Sequence, residues 1–80
     1  MGVRGRLYPG GEHVTDKITE IAQFELPYRR KATIRLVEFE GGMKMVRLVL
    51  REGTRITQID LDADSAAQLS RTLSDTAAQL

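Results

Sequence analysis

The chain has 80 residues, 41% hydrophobic and 29% charged, with seven glycines, two prolines and neither cysteine nor tryptophan. This composition fits one small soluble domain and excludes a disordered chain, a disulfide scaffold and thiolate chemistry, and no apolar run is long enough to span a membrane. The formal charge of +1 hides segregation: residues 29–55 hold eight basic side chains against three glutamates, and residues 56–80 one arginine against four aspartates. A basic half followed by an acidic half points to a polyanion on one side of the folded molecule.

Residues 1–13 contain four glycines and a proline without an apolar period and read as a flexible tail. The stretch Gly10-Gly11-Glu12-His13-Val14 back-translates to a purine-rich segment followed by a valine codon that bacteria use as a start. Translation is therefore expected to begin at Val14, read as methionine, with residues 14–80 forming the domain. The absence of cysteine and of a secretory signal gives a cytoplasmic expectation. Chains this short bury little of their surface, so a homodimer is expected.

Ile18-Thr19-Glu20-Ile21-Ala22-Gln23-Phe24-Glu25-Leu26 fits a helix face through Ile18, Ile21 and Ala22, and a strand face through Ala22, Phe24 and Leu26. Pro27 disfavours a helical Leu26, so a strand ending there is expected. Thr33–Glu40 is rich in β-branched and apolar residues and stops at Gly41-Gly42, which predicts a two-residue hairpin turn into Met43–Glu52. Gly53 predicts another tight turn, followed by a fourth strand over Thr54–Leu61. From Asp62 the period becomes helical, with Ala66, Leu69, Leu73, Ala77 and Leu80 on one stripe and Asp62 as N-cap. The fold class expected is α+β: a four-stranded antiparallel meander followed by one C-terminal helix packed on one sheet face.

Alternation places Ile34, Leu36, Val46, Leu48 and Leu50 under the helix stripe, and Arg35, Val37, Phe39, Met45, Arg47, Val49 and Arg51 on the other face. Burying a large aliphatic side chain stabilises by roughly 1.5–3 kcal/mol, which fixes this orientation. Guanidiniums beside apolar side chains on one face suit phosphates and unpaired bases. They equally suit a solvated face whose arginine stems cover apolar neighbours, or a face buried in a dimer.

The strand-Gly-Gly-strand unit ending in Leu50-Arg51-Glu52, with Ile59 and Leu61 leading to an acidic helix cap, resembles the positive cofactor four family of transcriptional coactivators over residues 18–80. The resemblance implies a curved sheet followed by a helix, a dimer, and single-stranded DNA on the sheet. Phe39 and Lys44 match the family's aromatic before the first hairpin turn and its lysine after it. Gly53-Thr54 and Thr57-Gln58 stand where the family carries further aromatics and a lysine-glycine pair. The chain also resembles a group of small uncharacterised bacterial proteins.

Catalysis is not expected: His13 is the only histidine, and Gly10-Gly11 lacks the spacing of a phosphate-binding loop. The sequence thus predicts a non-catalytic single-stranded nucleic-acid-binding protein, related to transcription, with no cofactor, metal, membrane or small-molecule substrate. Its partner is single-stranded DNA or RNA, contacted by Arg30, Lys31, Arg35, Phe39, Lys44, Arg47, Arg51 and Arg55. The alternative is an assembly module, a homodimer with no nucleic-acid role.

Overall fold

A computed structural model of the chain describes residues 15–80; the expected tail and the start at Val14 lie outside them. Four strands, β1 (Thr15–Leu26), β2 (Arg30–Phe39), β3 (Lys44–Glu52) and β4 (Arg55–Leu61), form one antiparallel sheet in the order β1-β2-β3-β4, and α1 (Ala63–Ala77) follows. The α+β meander read from the alternation is the fold observed.

Register decides which side chains share a face. Arg35 pairs with Arg47, Ile34 with Leu48 and Ala32 with Leu50. A two-residue Gly41-Gly42 turn would have set Arg35 opposite Leu48 and mixed charge with the apolar set. Instead the loop holds Glu40, Gly41 and Gly42, closed by Phe39 N–H donating to Met43 O at 2.7 Å and Gly42 N–H donating to Phe39 O at 3.0 Å. Gly41 has a φ of 95°, which a side chain resists, so the extra residue costs little strain here. The β3–β4 turn does have two residues: Glu52 pairs with Arg55, and Gly53, with a φ of 61°, takes the first central position.

The β1–β2 turn is the strained one. Tyr28 and Arg29 both adopt left-handed backbone, with φ of 64° and 59°. Each such residue costs about 1–2 kcal/mol. A glycine at 29 would relieve this, less the entropy it adds to the unfolded chain. Arg29→Gly is expected to raise the thermal midpoint by about 4 °C, corresponding to a gain of about 0.5–1 kcal/mol in a domain of this size; a melt followed by circular dichroism measures it, and an unchanged or lower midpoint would contradict the strain.

β1 is bulged at two places. Asp16 and Ile21 are extra residues, so Glu20 faces Arg35 and Ala22 faces Ile34. The bulge at Ile21 accounts for the ambiguous period of this segment, because alternation shifts by one residue there. Leu26, Phe24, Ala22, Ala32, Ile34, Leu36, Val46, Leu48, Leu50, Ile59 and Leu61 share one face, here face A. Lys31, Thr33, Arg35, Val37, Phe39, Met45, Arg47, Val49 and Arg51 share the other, face B.

Burial departs from expectation. The fully buried side chain is Val37, on face B, with Thr33 and Ala32 nearly so, all on the central strand β2. The helix stripe is not seated along its length. α1 packs on β3 and β4, with Ser65 and Ala66 half-buried, but Leu69 and Leu73 are 45% and 68% exposed. Asp62 is the one residue between β4 and α1, and its carboxylate accepts the Ser65 N–H at 2.8 Å, which caps the helix directly after the strand.

Candidate nucleic-acid interface

Parity divides the eight candidate residues. Lys31, Arg35, Phe39, Arg47 and Arg51 lie on face B, whereas Arg30, Lys44 and Arg55 lie in register with face A. The structure therefore does not gather them into one surface. Lys44 sits beside the β2–β3 turn with its Nζ 3.5 Å from Glu38, and Arg30 and Arg55 stand at the opposite end of the sheet. Arg30 is held at the β1–β2 turn, its Nε donating to Pro27 O at 2.9 Å and its guanidinium 5.3 Å from the Tyr28 ring centre.

On face B one row crosses all four strands: Glu20, Arg35, Arg47 and Asp60. Two arginines opposite each other repel, and the sheet answers with a carboxylate on each outer strand. The two pairs differ in kind. Arg47 Nε and Nη2 donate to Asp60 Oδ1 and Oδ2 at 2.8 and 3.1 Å, with side chains 15% and 27% exposed. Arg35 Nη2 approaches Glu20 Oε1 only to 3.8 Å, with over half of the glutamate exposed. A two-point pair of low exposure is fixed, while a single long contact at the surface exchanges readily. Arg47 thus ties β3 to β4, and Arg35 is available to a stronger anion.

The same contrast extends towards the β1–β2 turn. Lys31 Nζ is 3.6 Å from a largely exposed Glu25, and Arg51, across from Lys31, has no carboxylate within ion-pair distance among the described residues. Between these cations and Arg35 lies a shallow groove of about 320 Å³ lined by Gln23, Lys31, Thr33, Arg35, Val49 and Arg51. Gln23 Nε2 donates to Thr33 Oγ1 at 3.4 Å, giving the groove a polar floor. Phe39 is eight residues from Lys31 along β2, roughly 26 Å away on the same face.

The hydrogen bond from Arg47 is the main reason that the Asp60 carboxyl is held below the usual carboxylate range, and the bond to Asp60 raises Arg47 in turn. Asp62 is lowered as well, by the Ser65 backbone N–H first. A depressed folded pKa means that the unfolded chain binds more protons, so stability rises with pH through this window and is lost as pH falls from the ordinary carboxylate value, about 3.9, towards the folded one. Urea midpoints between about pH 2 and pH 6 should show an acid limb that Asp60→Asn flattens. The limb persisting unchanged in that variant would assign it elsewhere.

Sequence reasoning placed Thr33 on this face beside Arg35 but missed Glu20, Asp60 and Gln23 as parts of the surface. Asp60 was open to discovery by counting back from the Gly53 turn; Glu20 was not, because the Ile21 bulge shifts its register. Among the described residues no cluster of three or more His, Asp or Glu side chains could hold a metal ion, and no helix is long and apolar enough to cross a membrane.

A family model matches residues 15–79, the whole of the sheet and helix. The chain belongs to DUF6967, a family of unknown function. No curated protein and no solved structure matches it. What sets the DUF6967 chain's candidate surface is therefore its own geometry: a cationic groove on face B, from Lys31 and Arg51 to Arg35, ending at the Arg47–Asp60 clamp.

Proposed function

We propose that this DUF6967 chain is a non-catalytic single-stranded nucleic-acid-binding protein of transcription-related type, which takes backbone phosphates on Lys31, Arg51 and Arg35 in the face B groove. The observation that carries the reading is Arg51: a guanidinium facing another cation, Lys31, with no carboxylate in range among the described residues, beside a polar groove. The one carboxylate within ion-pair distance of the two among the described residues is the largely exposed Glu25, 3.6 Å from Lys31, so an anion from outside the chain stabilises the pair further. Arg47, fixed to Asp60, shapes the groove end rather than contacting phosphate.

The assembly-module reading, set on the arginine face by the sequence, shifts to the opposite face, where Phe24 and Ile59 are 49% and 51% exposed. The two readings use different surfaces. Fluorescence anisotropy with a labelled single-stranded oligonucleotide at two salt concentrations tests the first: affinity is expected to fall steeply with salt, as counterion release requires. No binding at low salt would overturn it.

A further inference from the structure

Two hairpin turns lie at one end of the sheet, residues 27–29 joining β1 to β2 and residues 53–54 joining β3 to β4. Between them the β2–β3 pair ends at Arg30 and Glu52, where the chain turns away to β1 and β4. A cavity of about 240 Å³ occupies this notch. Because the ladder ends there, it draws Arg30 and Arg55 from face A and Lys31 and Arg51 from face B, with Leu26 and Leu50 as an apolar wall. Lys31 and Arg51 also line the face B groove, so the groove runs into the cavity. Glu52 lines the cavity too, across the ladder from both Arg30 and Arg55, and makes no ion pair with either among the described residues. With Glu25 on Lys31, two carboxylates stand against four cations, an excess of two; along the groove Glu20 and Glu25 stand against Lys31, Arg35 and Arg51, an excess of one.

The turn beside the cavity is built at a cost. Tyr28 and Arg29, with φ of 64° and 59°, hold backbone in which glycine or asparagine would rest more easily. Backbone kept in such sparsely populated regions clusters at functional sites. What this turn presents is Tyr28, 87% exposed, with the Arg30 guanidinium over its ring at 5.3 Å from the centre. Arg30 therefore links the ring to the cavity that it lines, and the other ring face is open. An open aromatic face takes a base of any identity.

We infer that this end of the sheet holds the end of the bound strand: its terminal phosphate enters the cavity among Lys31, Arg51 and Arg55, and its terminal base stacks on Tyr28. The inference rests on the nucleic-acid reading and names the part of the strand that the site takes. A terminal phosphate carries about −1.5 to −2 charges at pH 7 and three acceptor oxygens, more charge than an internal phosphate carries. The larger cation excess of the notch selects it over the internal phosphates, which the groove takes.

Anisotropy with internally labelled single strands of one sequence reads the preference, the strands ending in hydroxyls, in a phosphate at one terminus, or in a phosphate at the other. One of the phosphorylated strands is expected to bind about tenfold tighter than the hydroxyl-ended one, and the terminus it carries gives the direction of the strand. Arg55→Ala should bring the two affinities together. Tyr28→Asn should weaken binding of every strand about tenfold while raising the thermal midpoint, since asparagine accepts the left-handed backbone but offers no ring. Tyr28→Phe should retain the stacking that the asparagine loses. Equal affinity for all three strands would overturn the end site and leave the groove reading standing, whereas no binding of any strand at low salt would overturn both. Undiminished affinity in Tyr28→Asn would overturn the stacking.

Discussion

Val37→Ala is expected to lower the stability of the domain by about 2–3 kcal/mol, and Val37→Asp to prevent folding. The alanine removes two buried methyl groups, worth roughly 0.8 kcal/mol each by transfer, and leaves a cavity that the flanking backbone of a central strand closes poorly. Val37 is fully buried between its cross-strand partners Ile18 and Met45. In a domain of this size total stability is about 4–12 kcal/mol, so the loss is a large share. An aspartate there would bring an unpaired charge into a site without water. Urea unfolding checks the value against Ile59→Ala, whose side chain is half exposed in the single chain. Equal small losses at both positions would mean that β2 is not the centre of the core.

That core was only partly legible. Alternation separated Ile34, Leu36, Val46 and Leu48 from Arg35, Arg47 and Arg51 correctly, because the period-2 geometry of a strand leaves no other assignment. It could not rank the faces by burial. The apolar face was expected to be the interior, yet it is the half-open one, since α1 half-buries only Ser65 and Ala66 and leaves Leu69 and Leu73 exposed. Face B is better covered than its composition suggests. Thr33 and Val37 are 5% and 0% exposed there, and Arg47, bonded to Asp60, is itself only 15% exposed.

The candidate site shows the same division between what period encodes and what register encodes. Parity alone would have placed Arg30, Lys44 and Arg55 away from Arg35 and Arg51, given the loop length at Gly41-Gly42. One residue in a turn reverses that assignment. The neutralising partners lie one step further off: Asp60 follows from the Gly53 turn, but Glu20 depends on a bulge that no local propensity announces. Counting basic residues in the segment 29–55 therefore overstated the field on face B, where Glu20, Glu25 and Asp60 offset three of the four cations.

Lys31, held only by a 3.6 Å contact to a largely exposed Glu25, and Arg51, without a carboxylate in range among the described residues, make the sharpest binding prediction. Changing both Lys31 and Arg51 to alanine is expected to weaken single-strand binding on the order of a hundredfold at low salt, as each phosphate contact contributes about 1.4 kcal/mol, a factor of ten. The slope of log affinity against log salt should fall by about 1.4, since a single strand releases about 0.7 counterion per phosphate neutralised. Lys44→Ala is the matched control: it also removes a charge, but from the opposite face and from a pair with Glu38, so affinity and slope should stay close to those of the unaltered chain. Arg47→Ala should act mainly on stability, because it breaks the two-point contact between β3 and β4. If Lys44→Ala alone cost about tenfold, the share of one charge in the two removed from the groove, binding would follow net charge alone and the face B groove would lose its claim to the strand.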